Sequence, residues 1–278
     1  LRGDLVCSSR EEIVREAEWL AGRGVREIVV IAQDTTAWRD GNAGLVDLLE
    51  DIATAAPAVW LRLMYLHPGH LDVEGLVRLI ESRTILPYLD IPVQHAADGV
   101  LRRMRRGYGR ADLDRIFGRL REVDGLTLRT TAMTGFPGET AEDFRELLDL
   151  LERTAFDHVG VFVYSPEEGT KARGAAVPRA KALARRDEVI DLQMEISHER
   201  LARLENTTVE VLVDGPSEPA DRPDPSIEAV GRFAGQAWEI DGVCWLSGEA
   251  PGAGSIVEAR VARAEAYDLF VRPVGDFR

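Results

Sequence analysis

Two hydrophobic periods alternate along the first two thirds of this 278-residue chain. Apolar residues at three- and four-residue spacing predict a helix over 11–22, with Ser8 or Ser9 as its cap and Gly22 or Gly24 closing it. The run REIVVIAQD (26–34) then reads as a buried strand, and the theme repeats over 59–68, 86–95, 126–138 and 158–166. Helical patterns at 45–55, 71–82, 110–123 and 141–153 separate these runs. Such alternation predicts parallel β-α units with strands buried on both faces. Five strands are too few for a closed eight-stranded barrel. A doubly wound open sheet and an open barrel therefore both fit the pattern, and one more strand ahead of Leu1 would give the open barrel six.

A long helical stretch follows from 178 to 205, with Pro178 suited to a first turn. Beyond it, TVEVLVDG (208–215), a Pro/Asp/Ser-rich loop (216–226) and short β-like runs to the end predict a small β-barrel of roughly 70 residues. The expected division is residues 1–205, an α/β domain, and 206–278, an all-β domain.

Charge narrows the partners. The chain carries −14 at neutral pH, and residues 205–278 hold 14 acidic against 6 basic side chains, about −8 for the β module alone. A phosphate backbone needs a basic surface, so direct nucleic-acid binding is disfavoured, and a basic protein is the better partner. No apolar run reaches the roughly 18 residues of a membrane helix and no signal-type segment is visible, so no membrane and a cytoplasmic location are expected. Cys7 and Cys244 are far apart and predict reduced thiols, with neither a disulfide framework nor a CxxC-type metal site. No metal ligands are predicted within the chain. That the first residue is Leu1 rather than Met points to a cut chain.

In parallel β-α barrels, ligands meet the C-terminal ends of the strands. Here those ends carry Gln33 and Asp34, Tyr65 and His67, Gln94 and His95, the segment 135–139, and Tyr164, Ser165 and Glu168. Three stretches are more specific: IPVQHAADGVLRRMRRGY (91–108), TGFPGETAEDF (134–144) and VFVYSPEEGTKA (161–172). In the second, glycine permits close approach to a ligand and Thr140 is placed to cap a helix with an acidic first turn. The arginines 102, 103, 105 and 106 read most simply as a solvated face. His158 begins a strand and reads as structural, while His70 and His198 read as surface or core residues.

Together these stretches resemble the radical S-adenosylmethionine (SAM) methylthiotransferases, and EIVVIAQDTT (27–36) with RLMYLHP (62–68) is closer to the RimO-type branch than to the MiaB-type branch. The resemblance implies an open, TIM-like radical SAM barrel lacking its first strand, followed by a TRAM (OB-like) domain. It implies a methylthio group added to the β-carbon of an aspartate of ribosomal protein S twelve, on the small ribosomal subunit. It implies SAM and two 4Fe-4S clusters, each held by three cysteines. By position in the family, Gln33 and Asp34 fall near the methionyl end of SAM, Gln94 near its sugar, and Thr134 and Gly135 on the adenine side. Tyr164 and Ser165 would face SAM or the substrate. No catalytic residue is assigned. Where the family carries its cysteine motif followed by Arg-Gly, this chain has Arg2-Gly3 directly after Leu1. The expectation is a chain that retains much of a SAM-binding wall but neither binds a cluster nor catalyses the reaction. Two other readings stay open: a MiaB-type tRNA methylthiotransferase, and a non-catalytic acidic module that docks a partner.

Overall fold

A computed structural model describes residues 5–166, 172, 174–220, 222–249 and 251–275. Arg2, Gly3 and Glu168, all singled out above, lie outside the described residues. The chain divides into two compact units, Leu1–Gln193 and Met194–Arg278.

Ser9 sets the first helix. Its hydroxyl accepts from the Glu12 N–H while the Glu12 carboxylate accepts from the Ser9 N–H, a reciprocal cap that starts α1 (Arg10–Gly22). There follow β1 (Glu27–Val30), α2 (Leu45–Ala55), β2 (Trp60–Leu63), α3 (Val73–Glu81), β3 (Tyr88–Asp90), α4 (Asp98–Met104) and α5 (Arg110–Leu120). Then come β4 (Thr127–Thr134), α6 (Ala141–Thr154), β5 (His158–Val163) and α7 (Arg179–Ala202), whose last turns enter the second unit. Short 3-10 turns occupy Thr35–Ala37 and Pro68–His70.

The strands are all parallel and lie in the order β1-β2-β3-β4-β5. Each spatial neighbour is the next strand in sequence, so the chain winds in one direction throughout. That is the path of a barrel wall. A doubly wound sheet would reverse and place later strands beyond the first. One strand face, carrying Leu61, Leu63, Leu89, Leu128 and Ala132, packs with Leu48, Leu76, Phe117, Leu147 and Leu151 of the helices into a single apolar core. Alternation then assigns Glu27, Arg62, Tyr88, Asp90, Arg129 and His158 to the opposite face.

The second unit is closed. Strands β6 (Thr208–Pro216), β7 (Ile227–Phe233), β8 (Cys244–Ser247), β9 (Ile256–Ala264) and β10 (Leu269–Pro273) pair in the order β10-β8-β7-β6-β9, and β9 pairs with β10 to complete the ring. Val211, Val213, Leu246, Ala259, Val261, Leu269 and Val271 fill its interior. At Gly242 a Cβ would lie 2.0 Å from the Tyr267 carbonyl oxygen, so only glycine fits where these two segments meet.

Candidate active site

The face opposite the helices carries a polar floor toward the starts of its strands. Arg62 Nε donates to Glu27 Oε1 at 2.6 Å, both side chains essentially inaccessible, and its guanidinium lies 4.4 Å from the Tyr88 ring centroid. Tyr88 is 6.3 Å from the His158 ring, and Arg129 pairs with Asp90 at 3.8 Å. Further along the same face the side chains turn apolar and open, with Ile31 and Phe162 each 62 % exposed. Charge below and uncovered apolar surface above suit a ligand with both characters.

The rim is built by turns at the strand ends. After β1, the Asp34 carboxylate caps the first 3-10 turn, accepting from the Ala37 N–H and the Thr36 hydroxyl, and its Oδ2 lies 3.2 Å from His70 Nδ1. Gln33 beside it is exposed. The turn is tied to the end of β2: Thr35 N–H donates to the Tyr65 carbonyl at 3.1 Å and its hydroxyl to the Met64 carbonyl at 2.7 Å. His67 caps the second 3-10 turn, its Nδ1 accepting from the Gly69 N–H. Burial, chiefly, holds the His67 pKa below its ordinary value.

Two residues on this rim have left-handed backbones, Tyr65 at φ 59° and Gln94 at φ 62°. A bulky side chain rarely adopts that conformation, and such residues concentrate at ligand sites. The Tyr65 N–H donates to Asp90 Oδ2 at 3.1 Å, which fixes the turn. Gln94 is bridged to β4, its N–H donating to the Thr131 carbonyl and its carbonyl accepting from the Met133 N–H. Tyr65 stood among the strand-end residues without being singled out, because nothing in its local pattern announces a positive φ.

The GFPG turn after β4 is held from below. Glu139 Oε2 accepts from the Phe136 N–H at 3.0 Å, and Oε1 accepts from Arg185 Nη1 at 2.6 Å, with both side chains buried. Burial, ahead of the opposing pull of Arg185, raises the Glu139 pKa. Arg103 Nε and Nη2 donate to the Pro137 and Gly138 carbonyls. Thr134 and Gly135 are drawn into packing against α7: the Thr134 hydroxyl donates to the Ala182 carbonyl at 3.0 Å, and Gly135 faces Ala182. Tyr164 packs edge-on to Phe136 at 5.2 Å, and Ser165 is exposed.

His95, next to Gln94, points the other way. It is fully buried; its Nδ1 accepts from the Ala97 N–H at 3.0 Å and its Nε2 has no hydrogen-bond partner. Burial pushes its pKa down to about 4. The strand-end position alone grouped it with the ligand-facing residues, yet the αL turn at Gln94 sends the next side chain inward.

Known families match in the same order along the chain. The model of the radical SAM superfamily matches residues 8–151, more than half of the chain. The chain belongs to the radical SAM superfamily. The TRAM domain model matches residues 207–274, so the closed barrel is a TRAM domain. Ribosomal protein uS12 methylthiotransferase RimO from Sorangium cellulosum is 40% identical over 97% of this chain and 57% of that protein. The protein of the same description from Syntrophus aciditrophicus is 39% identical over 99% of this chain and 61% of that protein. The chain thus spans about 60% of the length of these relatives. Among solved structures, coproporphyrinogen III oxidase (HemN) from Escherichia coli, a radical SAM enzyme, superposes with a TM-score of 0.54 at 16% identity. The match covers 67% of this chain and 44% of that one, a likeness of fold. Radical SAM membership implies SAM and an iron–sulfur cluster.

The thiols do not fit a cluster. A cluster of the implied kind needs three thiolates, and the chain has two cysteines. Cys7 is half-buried in the first unit. Cys244 is buried in the second, where burial drives its pKa far up and its thiol donates to Gln236 Oε1. The residues around the rim do suit SAM. Exposed apolar side chains lie beside polar strand ends, as a molecule with an adenine at one end and charged groups at the other requires.

Proposed function

We propose that this chain forms the SAM-facing wall and the partner-docking barrel of a RimO-type enzyme that adds a methylthio group to the β-carbon of an aspartate of ribosomal protein uS12. The observation that carries this reading is similarity at about 40% identity running through both units in one order, from the strand-end turns to the end of the barrel. SAM, when bound, is the source of the radical in this chemistry. The chain's own residues position it: Gln33 and Asp34 toward the methionyl end, Gln94 toward the sugar, Thr134 and Gly135 behind the adenine, with Tyr164 and Ser165 at the substrate side. For Thr134 and Gly135 that contribution runs through the backbone, since the hydroxyl is already committed to α7.

The partner follows from charge. The barrel segment's net −8 repels a phosphate backbone and attracts a cationic ribosomal protein. The enzyme would act in the cytoplasm, where ribosomes are modified. Because Cys7 and Cys244 cannot furnish three thiolates, the two 4Fe-4S clusters would be held by cysteines other than these, and the 278 residues alone would be catalytically silent. Binding measured by fluorescence anisotropy at physiological salt tests the substrate. Salt-sensitive binding to purified uS12 and none to tRNA is expected, whereas tight binding to tRNA would sink the protein-substrate reading in favour of a tRNA methylthiotransferase. Anaerobic reconstitution of the chain followed by iron and sulfide analysis checks the cysteines. A stoichiometric cluster would overturn that part.

A further inference from the structure

Asp34, His67 and His70 come from turns more than thirty residues apart, yet each brings one potential ligand atom to within 4.8 Å of the other two. We propose that these three residues form a site for a divalent transition-metal ion of the zinc class, separate from any iron–sulfur cluster.

The donor set is the first argument. Two imidazoles and one carboxylate suit zinc, cobalt(II) or nickel(II), and three protein ligands leave a coordination position for water or an anionic ligand. The frame is the second, because it is held without the ion. Thr35 donates through its N–H and hydroxyl to the Tyr65 and Met64 carbonyls, and the Thr36 hydroxyl accepts from the His67 N–H, so the turn carrying Asp34 is fastened to the segment leading into the one carrying His67 and His70. The Asp34 Oδ1 is occupied by Thr36 and Ala37, which leaves Oδ2 turned toward His70. The His67 ring is stacked on His70 with centroids 5.0 Å apart and meets the edge of Tyr108 at 5.3 Å, and Tyr108 is anchored through its hydroxyl to the Val93 carbonyl. Ligands oriented by other contacts in this way bind metals better than free side chains do.

Closure needs a small movement. Tetrahedral zinc with bonds of ~2.0–2.1 Å sets its ligand atoms about 3.3 Å apart. Asp34 Oδ2 and His70 Nδ1 already stand 3.2 Å apart, so closure falls on His67, whose ligand atom lies within 4.8 Å of theirs and must approach by at most about 1.5 Å. His67 must also give up a bond. Either its Nδ1 exchanges the Gly69 N–H for the ion, or its ring proton moves from Nε2 to Nδ1 and Nε2 binds the ion.

Cobalt(II) reports both occupancy and ligand type, so the test is an anaerobic titration of the full chain with cobalt(II), followed by competition with zinc. The expected result is one ion per chain with tetrahedral d–d absorption. His67→Ala and His70→Ala should each weaken binding about tenfold or more, and Asp34→Asn should weaken it too, while His198→Ala leaves it unchanged. Zinc should raise the melting temperature of the wild-type chain but not of His70→Ala, whose melting without metal shows whether that variant is folded. Unchanged affinity in both histidine variants, or no saturable one-to-one binding, would overturn the site. So would a cobalt–thiolate charge-transfer band, since Cys7 lines the same apolar cavity as Asp34 and would then be the ligand. None of these three outcomes touches the uS12 reading, which rests on the similarity and not on this cluster.

Discussion

The two units solve opposite problems. The TRAM barrel closes on itself, so every strand edge is paired, and its interior is filled by Val, Leu and Ala side chains. The α/β unit has a sheet with two ends, a helix-facing apolar core, and on its other face and beneath its rim a set of buried charges. Apolar packing fills the barrel's interior, and its polar anchors, the Arg232–Asp214 pair and the buried Gln236, stand beside that core. The α/β unit uses polar anchors because its loops must hold special shapes, and each anchor leaves a charge or a donor that is costly if its partner is lost. Among the described residues, the most deeply buried ion pairs, Arg62–Glu27 and Arg185–Glu139, lie in the unit whose strand-end turns hold the left-handed Tyr65 and Gln94.

Removing one such partner gives the largest expected effect. Arg185→Ala leaves the Glu139 carboxyl buried beneath the GFPG turn without its cation, and should cost about 3–5 kcal/mol of stability in urea unfolding. The double variant Glu139→Gln, Arg185→Met should recover a good part of that loss. If the single and double variants are equally destabilised, the pair is not what holds the turn.

Acid should distinguish the units next. His95 has a folded pKa of about 4 against 6.5 for an unperturbed imidazole. The unfolded chain therefore binds more protons between those values, and the folded state loses stability as pH falls from about 6.5 to 4. The total loss from this group is about 3 kcal/mol. Residues 205–278 contain no histidine, so the barrel has no counterpart to this loss. Unfolding free energies across that range should slope upward with pH, and His95→Gln should flatten the slope. An unchanged slope in the variant would place the titrating group elsewhere.

A third contrast lies within the rim itself. Gly135 and Gly138 share positive φ, at 78° and 80°, but a Cβ on Gly135 would stand 2.4 Å from Ala182 Cβ, whereas on Gly138 the nearest atoms belong to Arg103 at 3.4 Å. Gly135→Ala should therefore cost about 2–3 kcal/mol and Gly138→Ala about 1 kcal/mol. Equal costs would mean that α7 yields at Ala182.

Much of this was legible in the sequence, unevenly. The β-α alternation and the Thr140 cap are local signals, and the structure has both, including the reciprocal bonds between Thr140 and Asp143. Strand order is not local. The hydrophobic period is the same in a doubly wound sheet and an open barrel, and only the pairing β1 to β5 decides between them. Strand length was overread for a physical reason: the apolar run 86–95 yields only Tyr88–Asp90 as strand, because Ile91 and Val93 remain buried in irregular backbone. The sequence placed Gln33, Asp34, Gln94, Tyr164 and Ser165 at strand ends, and the structure has them in the segments that follow β1, β3 and β5. The sequence could not see that Thr134 and Gly135 pack on Ala182, nearly fifty residues on, or that His70 meets Asp34 across thirty-six.

The smallest expected effect probes the local end of that scale. Ser9→Ala removes the side-chain acceptor from the Glu12 N–H and with it half of the reciprocal cap, which should cost about 1 kcal/mol. Ser9→Asp keeps an acceptor and adds favourable charge at the helix start, so it should stay close to wild type. The capped helix packs through Ala17, Ile13 and Val14 on the core beside β1. Amide exchange should therefore quicken in α1 for Ser9→Ala and leave the barrel strands β6 to β10 unaffected. Quickening in both units would show that the first helix supports more than its own unit, and the division drawn between an anchored α/β unit and a self-sufficient barrel would have to be abandoned.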